Sequence, residues 1–215
     1  VWGYKAPQYI LDFAQRNNKK ISYVEDGFVR SVLLGASLSP AMSLTLDTKT
    51  PYFNAREPSE LEDLLATYDF ASNPELIERA KLAIEEMIAR GVSKYNKSAT
   101  VNIENLYGAK DKRRVLVVGQ VEDDASIMLG CEKKFTNNDL VRLAVEENPR
   151  AQVIYKPHPD VLSGKRPLQS NPDDVKGICQ VVRKDIPLPQ SFHKVDHVYT
   201  ITSLSGFEAL LRGIK

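Results

Sequence analysis

Gln152-Val153-Ile154-Tyr155-Lys156-Pro157-His158-Pro159-Asp160 is the stretch of this 215-residue chain whose reading decides the fold. The run from Gln152 to Tyr155 is short and mostly apolar, which reads as a buried strand. A lysine, an imidazole and two prolines arrive together at its carboxyl end. Proline fixes φ and biases the preceding residue away from helix, so Lys156 and His158 are expected on a stiff, extended loop. In open α/β sheets ligands bind at the carboxyl ends of strands. Two cation-capable donors there suit an anionic ligand such as a phosphate. The competing reading is a proline-rich turn with a solvated lysine, so the neighbouring segments decide.

Upstream, Val115-Leu116-Val117-Val118 is a continuous β-branched run, the pattern of a central parallel strand. It ends in the polar stretch Gly119 to Ser126. Thr136 to Asn148 reads as a helix with Leu140, Val141, Leu143, Ala144 and Val145 on its apolar side. Downstream, Val181-Val182 and the segment from Val195 to Thr200 read as two more strands. Thr202-Ser203-Leu204-Ser205-Gly206 opens a helix over Phe207 to Leu211. Residues 113–215 therefore form a βαβαβ series.

The first hundred residues read as a second such unit. Val1 to Tyr4 looks like a strand end. Pro7 precedes Tyr9, Ile10, Phe13 and Ala14 at helical spacing. Ile21-Ser22-Tyr23-Val24 reads as a strand that ends in Glu25-Asp26-Gly27 and points two carboxylates at its carboxyl end. Ser43 to Leu46 reads as a strand, with Tyr52-Phe53 as the start of a partner. Pro58-Ser59-Glu60 opens one helix, and Asn73-Pro74-Glu75 opens a longer one that Gly91 closes. Residues 93–96 form a polar loop and Lys97 to Lys112 a linker. The fold expectation is α/β: two Rossmann-like halves with parallel sheets, facing each other across a cleft. The first spans 1–100 with its helical connection, the linker 101–112, and the second 113–215, truncated at its carboxyl end.

The formal charge of +1 gives no case for a nucleic acid, which would need a concentrated basic face. There is no apolar run of membrane-spanning length and no secretory signal pattern. Cys131 and Cys179 lack metal-ligand spacing, and a reducing cytoplasmic setting is the default. The chain starts at Val1 without a methionine and stops at Gly213-Ile214-Lys215, where another strand is expected, so it reads as a piece of a longer protein.

Four strand ends carry reactive side chains, and each has a bland alternative. Glu25-Asp26-Gly27 is a pair of functional acids or a solvated turn. Residues 122–124 are nucleophile candidates, Mg²⁺ ligands or a solvated loop. Ser203 to Gly206 is an N-cap or an anion site of hydroxyls and free N–H groups. Lys156 to Asp160 completes the set. Four such loops at one end of two sheets point to a shared cleft.

The residues resemble a known family, the KpsC-type β-Kdo transferases of capsular polysaccharide biosynthesis in Gram-negative bacteria. The resemblance is carried by Glu25-Asp26-Gly27-Phe28-Val29-Arg30-Ser31, Ser93-Lys94-Tyr95-Asn96, Gln120 with Asp124-Ala125-Ser126, Lys156 to Val161, and Thr202 to Leu211. These occur in the family's order over nearly the whole chain. The acidic-Gly, His-Pro and Ser motifs are also similar to those of bacterial CMP-sialyltransferases. The family continues past this carboxyl end into an aromatic and glycine-rich loop.

The resemblance implies a GT-B-like, retaining glycosyltransferase that moves Kdo from CMP-Kdo to a Kdo-terminated, lipid-linked acceptor. It implies work at the cytoplasmic face of the inner membrane, peripherally, beside other capsule biosynthesis and export proteins. Lys156 and His158 would meet the donor phosphate with Ser203, Ser205 and Gly206, and Glu208 would take the ribose hydroxyls. Gln120 belongs to the same substrate set. Retention by two displacements needs two carboxyl groups about 5 Å apart. Asp124 is the expected nucleophile, with Asp123 a weaker candidate. Glu25 is the expected acid/base and Asp26 its rival. Arg30 and Lys94 are expected to pair with the Kdo carboxylate on charge alone. A monophosphate leaving group needs metal less than a diphosphate does, so neither metal nor cofactor is expected; the alternative would make Glu122, Asp123 and Asp124 ligands. The other readings are a different CMP-sugar transferase, sialyltransferase-like, and a non-catalytic nucleotide-sugar-binding or export module.

Overall fold

The computed structural model of the chain describes residues 1–33, 38–96 and 101–215. The amino-terminal half begins with helix α1 (Gln8–Arg16), strands β1 (Tyr23–Asp26) and β2 (Leu44–Asp47), and helices α2 (Glu60–Thr67) and α3 (Pro74–Ala89). Local signals set most of these bounds. Ser59 and Glu62 close a capping box on α2. Asn73 caps α3 with Pro74 at its first position, and Gly91 follows at φ +61°.

The pairing of this half departs from expectation. Val1 to Tyr4 forms only a single parallel bridge, Trp2 to Val24. β1 pairs antiparallel with β2, Tyr23 opposite Asp47 and Asp26 opposite Leu44. The expected parallel sheet is thus replaced, among the described residues, by an antiparallel pair, which needs no crossover helix. Tyr52-Phe53 starts no strand. Pro51 has no ladder donor, and Asn54 N–H closes a turn on its carbonyl at 2.9 Å.

Gly27 lets the chain leaving β1 lie against Ser43, the residue before β2. A Cβ there would stand 2.8 Å from Ser43 Cβ and 2.9 Å from the Ser43 carbonyl carbon, in addition to meeting Ser43 Oγ. Gly27→Ala is therefore expected to destabilise the fold by about 2 kcal/mol, the overpacking range, read as a lower denaturant midpoint at unchanged slope. An unshifted midpoint would show that Ser43 moves aside freely.

The carboxyl-terminal half contains helix α4 (Ile103–Tyr107), β3 (Arg114–Val118), α5 (Ala125–Gly130), α6 (Asn137–Glu147), β4 (Gln152–Lys156), α7 (Pro159–Leu162), β5 (Gln180–Val181), α8 (Leu188–Ser191), β6 (His197–Tyr199) and α9 (Ser205–Leu211). Its four strands run parallel in the order β5-β4-β3-β6. The sheet is covered on both faces. On one, Leu140, Val141 and Ala144 of α6 meet Val115, Val117, Val153 and Tyr155. On the other, Leu116 and Ile154 meet Ile103, Tyr107, Phe192 and Ala209. Hence β3, buried at every position, reads as an unbroken apolar run.

The segment read as a linker carries α4. Residues 97–100 lie outside the described residues. Beyond them, Ile103 and Tyr107 are buried in the second core. Arg114, 1% exposed, stacks its guanidinium 5.4 Å from the Tyr107 ring and donates to Gln152 Oε1 and the Gly108 carbonyl at 2.8 and 2.9 Å. α4 thus belongs to the packing of the parallel sheet.

Candidate functional site

The carboxyl ends of β3, β4 and β6 open onto a cavity lined by Gly119, Lys156, His158, Ser203, Ser205 and Glu208, with Lys94 and Tyr95 on its other side. Gly119 lets the first two strand ends lie side by side. Its N–H donates to the Lys156 carbonyl at 2.8 Å. A Cβ there would stand 3.0 Å from His158 N and Pro157 Cα, and 3.1 Å from the Lys156 carbonyl oxygen.

His158 caps α7. Its Nδ1 accepts from Asp160 N–H at 3.2 Å, so the neutral ring carries its proton on Nε2. Burial holds its pKa below the ordinary 6.5. The folded state therefore refuses a proton that the unfolded chain accepts, and stability falls as pH drops below about 6.5. His158→Asn keeps a capping side chain and is expected to flatten that part of the stability–pH curve. A curve of unchanged slope would place the sensitivity elsewhere.

Lys156 is 7% exposed. Burial lowers its pKa, with the charge of Asp185 opposing. Across the cavity, Ser203 and Ser205 pair Oγ to Oγ at 2.9 Å, and Ser205 N–H donates to Ser203 Oγ at 3.2 Å. A buried lysine, an imidazole donor and two hydroxyls therefore converge at the sheet's carboxyl end. That donor set fits an anion with several acceptor oxygens.

Other predicted site residues have work inside the fold. Gly206 N–H is taken by the Ser203 carbonyl at 3.1 Å, and the glycine is needed because a Cβ would stand 2.9 Å from Thr200 Cγ2. Gln120 Nε2 donates to Ser126 Oγ and Thr202 Oγ1 at 2.9 and 2.8 Å, and its Oε1 accepts from Thr202 N–H. It ties the ends of β3 and β6 to α5. Arg30 pairs with Asp26 at 2.8 Å and donates to Ser31 Oγ and the Ser39 carbonyl. The guanidinium expected to meet a substrate carboxylate is thus engaged within its own loop, as is Asp26. Glu208, expected to face ribose, is 2% exposed, and its Oε1 accepts from Lys94 N–H at 3.0 Å. Lys94 lines the cavity, and its ammonium stands 5.7 Å from the Tyr95 ring centre.

The acids of residues 122–124 separate. Glu122 accepts from Asn137 N–H and from Ser170 Oγ. Asp123 pairs with Arg166 at 2.7 Å. Asp124, exposed, caps α5 by accepting from Ser126 N–H at 3.0 Å. Among the described residues no three metal-ligating side chains come together.

Glu25 lies in a neighbouring cavity with Phe28, Leu46 and Tyr52, not among the residues that line the Lys156 cavity. Its Oε1 sits over Gly3, at φ +46°, where a Cβ would collide with it. Burial raises its pKa, and the charge of Asp26 adds to that. Tyr52 lines the Glu25 cavity and Tyr95 the Lys156 cavity, and sequence reasoning named neither as a site residue. Burial pushes each phenol up to about 12, with the acids Glu25 and Asp26 next in weight for Tyr52 and Asp26 for Tyr95; the charge of Asp124 reaches both. The available signal was Tyr95's place within Ser93-Lys94-Tyr95-Asn96. Tyr52 had none, since the ring only seemed to start a strand. A ring contact joins the halves as well, Phe28 to Phe207 at 5.7 Å.

Known proteins share this architecture. A family model described as capsule polysaccharide biosynthesis protein matches residues 1–215. Over 214 residues the chain is 49% identical to the lipopolysaccharide-processing protein LpsZ of Rhizobium meliloti, covering 100% of this chain and 48% of that protein. It is 40% identical over 216 residues to the capsule polysaccharide modification protein LipA of Neisseria meningitidis serogroup A, of which it covers 30%. The solved structure of Thermosulfurimonas dismutans KpsC, beta Kdo 2,4 transferase, superposes with a TM-score of 0.84 at 30% identity, over 100% of this chain and 66% of that one. The beta Kdo 2,7 transferase of the same organism superposes at 0.70 with 28% identity, over 98% and 68%. The chain thus spans about half the length of the Rhizobium relative and under a third of the Neisseria one. With a family match over its full length, the chain belongs to the capsule polysaccharide biosynthesis protein family.

Proposed function

We propose that this chain carries the donor pocket and the acceptor-side carboxylates of a β-Kdo glycosyltransferase of capsule biosynthesis. Kdo passes from CMP-Kdo to a Kdo-terminated, lipid-linked acceptor with retention of configuration. The observation that carries the reading is the convergence of buried Lys156, neutral His158 and the Ser203–Ser205 pair at the end of a parallel sheet. His158 Nε2–H and the hydroxyls donate to the CMP phosphate, and Lys156 balances its charge as the leaving group departs. Asp124 attacks the anomeric carbon, the bond to the phosphate oxygen breaks, and CMP leaves. The acceptor hydroxyl then displaces Asp124 and gives its proton to Glu25. The raised pKa of Glu25 suits it to that proton, whereas the Arg30 pairing of Asp26 holds the rival in place. Lys94 meets the Kdo carboxylate. The reaction is metal-independent in this reading, and chelator-sensitive turnover would reverse that. The protein works peripherally on the cytoplasmic face of the inner membrane; no helix among the described residues is long and apolar enough to cross a membrane.

Thermal unfolding with CMP, UMP, UDP or ADP tests the reading. A ligand at a hundred times its Kd adds about 2.7 kcal/mol of stability. Selective stabilisation by CMP is expected. Equal shifts with all four, or none with any, would remove the CMP-sugar pocket from the proposal.

A further inference from the structure

We infer that Glu208 and Arg212 form a clamp that positions the acceptor-side carboxylates against the donor pocket. The inference rests on the transferase reading for its catalytic consequence and on geometry alone for the clamp. Glu208 Oε1 accepts from the backbone N–H of Lys94, 114 residues away in sequence. Arg212, one turn further on at the C-cap of α9, reaches the same loop: Nη2 donates to the Val92 carbonyl at 2.9 Å. Its Nη1 donates to the Glu208 carbonyl at 2.9 Å and lies 3.6 Å from Glu208 Oε2. The guanidinium also stands 5.5 Å from the Phe192 ring centre, which fixes its plane. Glu208 of α9 and Arg212 at its C-cap thus hold residues 94 and 92 by their backbones.

The contacts continue beyond Lys94. Its carbonyl accepts from Arg30 N–H at 2.9 Å and Ser31 N–H at 3.2 Å. Asn96 N–H returns to the Ser31 carbonyl at 3.0 Å. Arg30 then pairs with Asp26, whose neighbour in β1 is Glu25. An unbroken series of contacts therefore runs from the helix that carries Ser205 to the acidic turn, through the loop that carries Lys94 and Tyr95. Most of its links end on backbone atoms, so it controls position, with little freedom for either half to shift alone. Only Oε1 of Glu208 is committed to Lys94 N–H; Oε2 has no hydrogen-bond partner, so the clamp uses one oxygen of the carboxylate.

The test uses Glu208→Ala and Glu208→Gln in the full-length protein, with three readouts: hydrogen exchange at the Lys94 amide, CMP affinity, and the ratio of Kdo transfer to donor hydrolysis. In hydrolysis water takes the acceptor's place: its oxygen bonds the anomeric carbon, the bond to Asp124 breaks, and its proton can pass to bulk solvent. Glu208→Ala is expected to speed exchange at Lys94, to leave CMP affinity within about threefold, and to lower the transfer-to-hydrolysis ratio by about 10²-fold, since water needs no alignment with the acid/base. Glu208→Gln keeps an acceptor for Lys94 N–H and is expected within about threefold of wild type on all three. Should the alanine variant not fold, Arg212→Lys serves, because an ammonium is a point donor that cannot serve the Val92 and Glu208 carbonyls as a planar fork does; faster Lys94 exchange and a lower ratio are again expected. Tenfold weaker CMP binding with Lys94 exchange unchanged would make Glu208 a ribose ligand and overturn the clamp. Equal losses in Glu208→Gln and Glu208→Ala would overturn it too. A wild-type protein that neither binds CMP nor turns over CMP-Kdo would sink the transferase reading, while Lys94 exchange would still decide the clamp.

Discussion

Asp124→Asn in the full-length protein is expected to reduce Kdo transfer by about 10³-fold or more, with CMP affinity held within about threefold. The structure makes Asn the informative substitution. Asp124 is the N-cap of α5, accepting from Ser126 N–H at 3.0 Å and Ser126 Oγ at 3.1 Å. Asn caps a helix about as well as Asp, whereas Ala would cost about 1 kcal/mol of helix stability. With Asn the helix start survives, and with it the Ser126–Gln120–Thr202 network that holds the ends of β3 and β6 together. Only the carboxylate is lost, and an amide cannot displace CMP. The carboxylate is exposed, so the change perturbs no core packing. Steady-state transfer and CMP titration read the two halves of this expectation, and mass spectrometry of a trapped Kdo adduct locates the covalent bond. Turnover near the wild-type rate would remove Asp124 as nucleophile. Asp123, held by Arg166, would have to leave its ion pair to replace it.

Lys156→Met should weaken CMP binding by about 10- to 100-fold, which is what a charge-assisted hydrogen bond of roughly 1.5–3 kcal/mol is worth. Methionine conserves length and removes the charge. The same variant is expected to be as stable as wild type or more so. Burial lowers the Lys156 pKa from 10.5, so folding works against its charged form. The unfolded chain binds that proton more tightly than the folded one. Stability therefore rises with pH from the folded-state pKa up to about 10.5, and the methionine variant should lose that slope. Opposite signs for ligand affinity and stability would mark Lys156 as a group kept buried for an anion. A variant that lost both would instead show Lys156 to be part of the packing. If binding were unchanged, the phosphate would have to be held by Lys94, the other lysine that lines the cavity.

Much of the carboxyl-terminal half is legible one residue at a time. The apolar runs of β3 and β4 need cover on both faces, so they declare a parallel sheet before any contact is known. Capping residues announce helix starts because they satisfy N–H groups within four positions: Ser59 for α2, Asn73 for α3 and Thr136 for α6. α4 escapes that logic. Five residues offer too few turns for a periodic signal, and only the packing of Ile103 and Tyr107 onto the sheet makes it a helix worth forming. The antiparallel pairing of β1 with β2 was hidden for a related reason. The residues of β1 and β2, without an unbroken apolar run, state that each will pair, but not with which partner or in which direction.

The site divides along the same line. That Lys156, His158, Ser203 and Ser205 share one cavity followed from strand-end chemistry in a parallel sheet, a rule that needs only the order of elements. Which polar side chains remain available was decided by tertiary contacts. Gln120, Arg30, Gly206 and Glu208 carry the same residue types as a ligand set, yet each has a bond that the fold requires. Tyr52 and Tyr95 became part of the site only through the fold, which places one ring in each of the two cavities. Periodicity, caps and strand-end motifs are local properties, encoded within a few residues, and on their own they determined the parallel sheet and the anion-suited end of it. Burial, donor allocation and pKa depend on atoms brought from far along the chain, and the structure alone decided those, because a side chain's free donors and acceptors are what remains after the fold has used its share.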